Sequence, residues 1–371
     1  MSDIRRYSDG CHTLPLTSTN SNAPKYYTLA TIDAAVCRLD AGELVAFPTE
    51  TVYGLGADAC NLQAVARIYE VKNRPATHPV IVHLASGDDP GRWVLSISLE
   101  AQRLIDAFWP GPLTLILKRA ATITNAVSGG QDSIGLRCPS HPVAQALLRA
   151  FSDLRHGHSS IAAPSANKFG YVSPTIAQHV RDAFGDSIYL LDGGACDIGI
   201  ESTIVDLSRG FPSLLRPGRI TQQQITDVLG IAPQLPSNSS IATAPRSSGT
   251  LKAHYAPHTP ISLLPIEDIL NTVESYSSHK RLAVIASNSL PQADVLRGRP
   301  NLEFLIAPNN PYTYEYKLYR MLRQLDSLNV LRIFIELLPS TSEWTVVNDR
   351  LQRAEAAFKS DGPILISSPN T

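Results

Sequence analysis

The stretch Ser98-Leu-Glu-Ala-Gln-Arg-Leu-Ile-Asp-Ala-Phe-Trp-Pro-Gly-Pro-Leu-Thr-Leu-Ile-Leu117 contains a helix followed by a strand. Ser98 is a favoured helix cap, and the predicted helix runs to Phe108. Leu113 to Leu117 is a continuous apolar run, typical of a buried strand. The next predicted element, Ile134 to Leu136, is again a strand. Because strands follow one another without an intervening helix, the sequence predicts a mixed sheet in an α/β protein.

The same irregular alternation extends in both directions, from Thr31 to Gly230. Further predicted helices cover Thr31–Ala41, Asn61–Glu70 and Pro142–Phe151, and further strands cover Leu44–Phe47, Val80–Leu84, the region of Ile161, Ile188–Leu191, Thr203–Leu207 and Leu214–Leu215. Periodicity is lost from Ala232 to Gly249, where Pro, Ser, Ala and Asn dominate, as in a linker.

After Pro260 a second pattern begins, with strands and helices in the arrangement of a small doubly wound parallel sheet. Its predicted strands are Ile261–Leu264, Leu282–Ala286, Phe304–Ile306 and Ile333–Leu337, and its predicted helices include Tyr314–Leu328 and Glu343–Phe358. We therefore predict a disordered tail over residues 1–25, a catalytic α/β domain over 26–231, a linker or lid over 232–259, and a Rossmann-like domain over 260–371.

Composition restricts the class of function. The 371 residues are 43% hydrophobic and 18% charged, with a net charge of −1, as in an ordinary globular protein. Global charge therefore does not favour nucleic-acid or membrane binding. The five cysteines are scattered and form no C-x-x-C pair, which argues against a disulfide framework or a zinc site and indicates a cytoplasmic protein. Arg5 and Arg6 are typical of an organelle transit peptide, which is rich in arginine. Such peptides are poor in acidic residues, so Asp3 and Asp9 argue against one.

Two short pairs of polar residues indicate a polyphosphate site. Lys72 and Arg74 precede Pro75, which disfavours a helical conformation at Arg74, and Ser165 and Asn167 have the same spacing. If both segments are extended, each pair points to one side. Two cations with short neutral hydrogen-bonding groups, and without a carboxylate, suit a polyphosphate. A solvated surface pair is the alternative for Lys72 and Arg74.

Other polar residues follow apolar strands. The segment Phe47-Pro-Thr-Glu-Thr-Val-Tyr-Gly-Leu-Gly56 has Thr49 just past a strand, where α/β folds bind ligands. A polar hairpin is the alternative, and we interpret the two glycines as turn residues. Arg137 and Arg216 end two further strands, where an anion would explain them.

Together these residues form a cationic and hydroxylic set without an evident nucleophile or general base. The set is Lys72, Arg74, Arg137, Arg216, Thr49, Ser165, Asn167 and Ser202. There is no P-loop, no H-E-x-x-H and no G-x-S-x-G motif. Such a set can catalyse phosphoryl or nucleotidyl transfer by positioning and charge neutralisation.

Ordered motifs over about residues 28 to 230 resemble the signatures of the L-threonylcarbamoyladenylate synthases, whose catalytic domain is called YrdC-like. They are Pro48-Thr-Glu-Thr-Val-Tyr-Gly-Leu-Gly56, Lys72-Asn-Arg-Pro75, Pro79-Val-Ile-Val-His83, Phe108-Trp-Pro-Gly-Pro-Leu-Thr114, Gly135-Leu-Arg-Cys-Pro139, Ala162-Ala-Pro-Ser-Ala-Asn167, Ser173-Pro-Thr175, Asp192-Gly-Gly194, Glu201-Ser-Thr203 and Leu215-Arg-Pro-Gly218. His254-Tyr-Ala-Pro257 resembles the linker signature of the long form, which has a C-terminal α/β domain.

The resemblance implies a twisted mixed sheet with a central cavity, and an enzyme that condenses L-threonine, bicarbonate and ATP to threonylcarbamoyl-AMP and pyrophosphate. The product would pass to a tRNA threonylcarbamoyl transferase complex that modifies an adenosine next to the anticodon. It also implies Mg²⁺ held mainly by the phosphates, without protein metal ligands, and tRNA binding that is weak or indirect. Membrane association is not expected.

Residue roles also follow from the resemblance. Residues expected at ATP are Lys72, Arg74, Ser133, Ser165, Asn167, Ser173, Arg216 and Tyr255, of which Lys72, Arg74, Ser165 and Asn167 should surround the phosphates and serve catalysis. Residues expected at threonine are Thr49, His83, Arg137, Ala163 and Ser202, with Arg137 pairing with the carboxylate and Ala163 acting through its backbone. From the residues alone, His83 is by default a core histidine.

Two other functions remain open from the sequence. One is an RNA-binding module, which the net charge of −1 and the lack of a basic run disfavour. The other is a carbamoyltransferase of hydrogenase maturation that contains the same domain. That class has zinc-finger segments, and the absence of C-x-x-C disfavours it.

Overall fold

The computed structural model describes residues 28–235, 244–276, 280–287, 296 and 299–359. The predicted tail over residues 1–25 and the middle of the predicted linker lie outside these described residues. The domain boundaries stay a prediction.

The helices begin and end close to where capping residues predict them. Asn61 accepts hydrogen bonds from the backbone of Gln63 and Ala64, and Ser98 accepts one from Ala101. Both predicted caps are confirmed. The described helices are α1 (Leu29–Asp40), α2 (Leu62–Lys72), α3 (Leu99–Phe108), α4 (Asn125–Ser128), α5 (Pro142–Leu154), α6 (Ala177–Phe184), α7 (Gln222–Leu229), α8 (Ile266–Ser275), α9 (Pro311–Asp326) and α10 (Thr345–Ala356), with 3-10 turns at Pro90–Arg92 and Ser342–Trp344.

Most strands match the apolar runs to within a few residues. The described strands are β1 (Val45–Phe47), β2 (Gly54–Asp58), β3 (Ile81–His83), β4 (Leu113–Lys118), β5 (Ser133–Arg137), β6 (Ile161–Ala162), β7 (Tyr189–Leu190), β8 (Thr203–Asp206), β9 (Ser213–Arg216), β10 (Ile261–Leu264), β11 (Leu282–Ser287), β12 (Leu302–Ala307) and β13 (Ile333–Glu336).

Strand β2 corrects our interpretation of the two glycines as turn residues. Gly54 and Gly56 lie within β2, which pairs antiparallel with β1. A Cβ on Gly56 would come within 2.7 Å of the Ile161 side chain and 2.9 Å of the Phe47 ring. Glycine is needed here because the strand packs closely against its neighbours, not because the chain turns.

The strands form two sheets, as predicted. In the described part, the first sheet has nine strands in the order β7-β1-β2-β6-β3-β5-β4-β8-β9 and contains both parallel and antiparallel pairs. The second has the order β10-β13-β11-β12, with every pair parallel. The predicted fold, a mixed sheet followed by a small parallel sheet, is confirmed.

Each face of the large sheet buries its own hydrophobic cluster. Helices α1 and α5 pack together with Ile32, Leu39, Leu147 and Phe151 in one cluster. A second cluster takes in the apolar faces of α2, α3 and α7. Neighbouring residues of β1 belong to different clusters, Val45 to the first and Ala46 to the second, so the sheet is covered on both faces.

The far end of the predicted linker is docked between the two parts of the chain. Ala256 donates to Gly170 and accepts from Val172 through its backbone. Tyr255 belongs to the same buried cluster as Tyr319 of α9 and Val347 of α10. These contacts place a linker residue inside the core that joins both parts.

Cysteine chemistry departs from the sequence interpretation. Cys37 is disulfide-bonded, while Cys60, Cys138 and Cys196 are free. The scattered spacing therefore did not exclude a disulfide. Within the described ranges, no helix combines the length and the apolar character that crossing a bilayer requires.

Candidate functional site

Most of the predicted site residues line one cavity at the strand ends of the large sheet. The cavity contains about 610 Å³ of space, including the part open to solvent. His83, Arg137 and Arg216 are the final residues of β3, β5 and β9. The predicted residues that line it are Thr49, Lys72, Arg74, His83, Arg137, Ala163, Ser165, Asn167, Ser202, Arg216 and Tyr255.

The reason we gave for pairing Lys72 with Arg74 is wrong, although both side chains reach the cavity. Lys72 is the last residue of α2, and Asn73 follows in the left-handed conformation with φ 52°. Ser165 forms an isolated bridge with Gly54, and the chain bends at Asn167. A helix end and a bend, not two extended segments, bring these residues together.

Lys72 is buried, which contradicts the alternative that Lys72 and Arg74 form a solvated pair on the surface. Only 1% of the residue is accessible. Its Nζ donates to the carbonyl of Ser165 at 2.6 Å and to the carbonyl of Asn167. Burial, helped by Arg74 and Lys168, lowers the pKa of Lys72 well below its usual value. Among the described residues the ammonium has carbonyl partners but no carboxylate, so an anionic ligand would stabilise its charge.

Arg74 and Arg216 supply two further buried guanidinium groups, 7% and 3% accessible. Arg74 donates to the Pro79 carbonyl at 2.8 Å and to Ser248 Oγ at 3.2 Å. Arg216 donates to the Ser202 carbonyl at 2.9 Å and to the Ser248 carbonyl at 2.8 Å. Burial lowers the pKa of Arg74 to about 10. Both arginines therefore meet the linker at Ser248.

The end of the linker closes one wall of the cavity. Tyr255 is 1% accessible, has a left-handed φ of 62° and donates its hydroxyl to the Gly249 carbonyl at 3.4 Å. A Cβ on Gly249 would lie 1.9 Å from the Tyr255 hydroxyl and 3.0 Å from Arg216. Only glycine fits between the tyrosine and the arginine, which explains the residue that ends the Ala232–Gly249 segment.

Arg137 also lines the cavity and belongs to a second group of polar side chains. It forms a buried ion pair with Glu50 at 2.7 Å and donates to Thr51 Oγ1 at 2.8 Å. Thr49 is hydrogen-bonded to Thr51 at 2.8 Å. Burial, and then the charge of Arg137, lowers the pKa of His83 to about 3, so this imidazole is neutral at pH 7. The group offers a guanidinium, hydroxyls and a neutral ring.

The other predicted residues take different positions. Ser202 hydrogen-bonds to Thr114 at 2.8 Å, and the backbone N–H of Ala163 donates to Ile81. Ser133 lies in a small adjoining pocket, and its buried hydroxyl has no hydrogen-bond partner in the described structure. Ser173 donates to Glu201 at 2.6 Å.

Several residues that line the cavity were not predicted from the sequence, and one of them contradicts the prediction of a site without a carboxylate. Glu201 lines the cavity, so the site does contain a carboxylate. Its place beside Ser202 in the Glu201-Ser-Thr203 motif was the available signal. Ser248 and Gly249 were missed because they lie in the segment that we interpreted as a linker. Thr51 and His254 line the cavity too, beside residues that we had selected.

Known proteins resemble this chain over nearly its full length. A family model described as telomere recombination, of the Sua5, YciO and YrdC proteins, matches residues 37–218. A model described as threonylcarbamoyl-AMP synthase, C-terminal domain, matches residues 220–356. The threonylcarbamoyl-AMP synthase of Pyrococcus abyssi is 36% identical over 323 residues, covering 84% of this chain and 90% of the relative. That of Bacillus subtilis is 36% identical over 334 residues, covering 87% and 92%.

A solved structure shows the same fold. The crystal structure of P. abyssi Sua5 complexed with L-threonine has a TM-score of 0.76 at 33% identity, covering 87% of this chain and 94% of that chain. The mixed sheet, the cavity at its strand ends and the second parallel sheet thus define an α/β enzyme of two sheets. The chain belongs to the threonylcarbamoyl-AMP synthase family. The family predicted from the ordered motifs is confirmed, and so is the function that its name states.

Proposed function

We propose that this chain is a nucleotidyltransferase that condenses L-threonine, bicarbonate and ATP to threonylcarbamoyl-AMP and pyrophosphate. The supporting observation is one cavity whose lining includes three buried cations, Lys72, Arg74 and Arg216, together with Arg137 and the polar side chains around it. The first set suits a polyphosphate and the second an α-amino acid.

The nucleotide would bind across two adjoining pockets. Lys72, Arg74 and Arg216 would contact the phosphates, together with Ser165 and Asn167, whose buried Oδ1 lacks a hydrogen-bond partner in the described structure. The neighbouring pocket combines apolar side chains, among them Ile116 and Ile204, with polar ones that include Arg246 and the hydroxyls of Ser133 and Ser247. Apolar walls with hydroxyls that lack a partner in the described structure suit a purine base. The bound nucleotide would then cover both pockets.

Threonine would bind at the Arg137 group. Arg137 would pair with its carboxylate, while Thr49, neutral His83 and Ser202 would contact its polar groups and the backbone at Ala163 would complete the wall. Because Arg137 already pairs with Glu50, its charge is balanced before the substrate arrives. A substrate with both a carboxylate and an ammonium group carries no net charge, so its binding leaves this balance of charges unchanged.

The chemistry needs positioning more than a protein nucleophile. The threonine ammonium group loses a proton to solvent, and the resulting amine forms an N–C bond to the carbon of bicarbonate as water leaves. A carbamate oxygen then attacks the α-phosphorus of ATP, and pyrophosphate departs with the electrons of the broken P–O bond. Three buried cations would neutralise the charge that develops on the phosphates. Tyr255 and Gly249 would keep water from the carbamate.

Magnesium would enter with ATP. Within the described residues, no group of three or more His, Cys, Asp or Glu side chains could hold a metal ion. The oxygens of Glu201 already accept hydrogen bonds. These residues do not fit a protein metal cage, so we derive no step through the ion, which the phosphates would coordinate.

The product would serve a tRNA threonylcarbamoyl transferase complex in the cytoplasm. That complex would transfer the threonylcarbamoyl group to the adenosine next to the anticodon. Direct tRNA binding by this chain would be weak, because its net charge of −1 provides no global attraction to phosphate. A salt series of filter-binding measurements tests this, since direct tRNA binding would give a steep salt dependence.

The decisive experiment incubates the protein with ATP, L-threonine and labelled bicarbonate. We expect label in an adenylate and pyrophosphate release that requires all three substrates. Omission of each substrate in turn is the control for ATP hydrolysis. Pyrophosphate release that is independent of threonine, or an absence of labelled adenylate, would overturn the proposal.

A further inference from the structure

Glu201 is a buried carboxylate of the cavity whose partners come from the C-terminal part of the chain. The residue is 6% accessible and precedes β8. One of its oxygens accepts from the Tyr319 hydroxyl at 2.8 Å and from Arg350 Nε at 3.0 Å. The other accepts from Ser173 at 2.6 Å. Two of its three partners therefore lie on α9 and α10, outside the sheet that carries the cavity.

Arg350 connects this carboxylate to the rest of the cavity wall. Its side chain is completely buried, and it donates to the carbonyl of Pro217, the residue after Arg216. Its guanidinium carbon lies 5.1 Å from the centre of the Tyr255 ring. Tyr255 in turn stacks on Tyr319 with ring centres 5.9 Å apart. Arg350 and Tyr319 thus contact Glu201 and Tyr255, both of which line the cavity.

If the carboxylate oxygens of Glu201 had no hydrogen-bond partners, this residue would weaken anion binding in the cavity. Glu201 and Arg216 line the same cavity, and Arg216 donates to both the carbonyl and the hydroxyl of Ser202, the residue after Glu201. A carboxylate that turned toward Arg216 would compete with a phosphate for the guanidinium. Instead, Glu201 forms its ion pair with Arg350.

We propose that Arg350 and Tyr319 are positioning residues of the synthase, which hold Glu201 away from Arg216 so that Arg216 remains available to the phosphates of ATP. The inference rests on the proposed function, because it takes Arg216 as a phosphate ligand. It gives the C-terminal part of the chain a role in the active site. Neither residue touches the substrate, and both act through Glu201.

Tyr319→Phe tests the hydrogen bond alone. The variant keeps the ring that stacks on Tyr255 and removes the hydroxyl that Glu201 accepts. We expect the KM for ATP to rise several-fold with kcat nearly unchanged, because substrate binding is affected and not the chemical step. Tyr314→Phe is the matched control, since Tyr314 lies on the same helix, is fully buried, and has a hydroxyl without a partner in the described structure. Its KM for ATP should stay at the wild-type value.

Arg350→Met tests the ion pair, and Glu201→Gln added to it provides a rescue. The single variant leaves a carboxylate free to pair with Arg216, so the KM for ATP should rise about tenfold. The double variant has no carboxylate to compete, so the KM should return to within about threefold of wild type. Arg332→Met, an arginine bonded to Ser262 in the C-terminal sheet, controls for general loss of an arginine.

The outcomes separate the inference from the proposed function. If wild-type protein makes no adenylate, the proposed function fails. If wild type is active but Tyr319→Phe matches Tyr314→Phe, or if the double variant is no better than Arg350→Met, the positioning role is wrong. Should Arg350→Met fail to fold, the comparison of the two Tyr→Phe variants decides alone.

Discussion

Replacing Lys72 by methionine should separate its role in ATP binding from its role in the fold. Methionine fills a similar volume but lacks the ammonium that donates to the carbonyls of Ser165 and Asn167. Since a charge-assisted hydrogen bond contributes about 1.5–3 kcal/mol, losing one to a phosphate should lower kcat/KM for ATP about ten- to hundredfold. Replacing an exposed lysine would cost little stability, but Lys72 is buried, so its replacement also affects folding.

Two effects on folding oppose each other in Lys72→Met. Two carbonyls lose their donor, which costs about 1–3 kcal/mol for each one left unsatisfied. A buried ammonium with a depressed pKa is itself unfavourable, and its removal offsets part of this cost. We therefore expect the free energy of unfolding to fall by about 1–3 kcal/mol, which leaves the variant folded.

Pyrophosphate release at varied ATP, together with urea unfolding, measures both quantities. Lys168→Met is the matched control, because Lys168 is the adjacent lysine but donates to Val71 and does not line the cavity. ATP should raise the depressed pKa of Lys72, so binding takes up a proton and affinity falls as pH rises through the window between the two pKa values. A Lys72→Met variant with wild-type kcat/KM for ATP, or with the same pH dependence of affinity, would refute the phosphate contact.

Three further predictions concern other walls of the cavity. Arg137→Lys should weaken threonine binding far more than ATP binding in calorimetric titrations, because an ammonium cannot form two parallel hydrogen bonds to a carboxylate, and equal losses would place Arg137 elsewhere. His83 has a folded pKa of about 3, so its contribution to stability should be lost as pH falls from about 6.5 toward 3, and unfolding of His83→Gln should show a shallower pH dependence over that window. Ending the chain after Gly230 removes Ser248, Gly249 and Tyr255 from the cavity wall, so the truncated protein should turn over poorly, and undiminished turnover would contradict the role of the linker as a lid.

The sequence predicted some residues of the cavity correctly, some for the wrong reason and some not at all. Arg137 and Arg216 were predicted at the ends of apolar strands, and the structure places both there and in one cavity. Lys72 was predicted correctly for the cavity but for the wrong reason, since it ends a helix. Glu201 was not predicted at all. A buried carboxylate argues against an anion site unless its partners are known, and Arg350 lies 149 residues away along the chain.

The sequence by itself determined the order of elements, the mixed and parallel sheets, the family and most residues of the cavity. These follow from periodicity, from capping residues and from short ordered motifs, all of which are local in the chain. Only the tertiary structure decided which groups are buried and how their charges are paired. Three examples depend on segments that are far apart in sequence. They are the burial of Lys72, the ion pair of Arg137 with Glu50 and the ion pair of Arg350 with Glu201. Desolvation and ion pairing act between neighbours in space, and a single sequence does not state which neighbours those are.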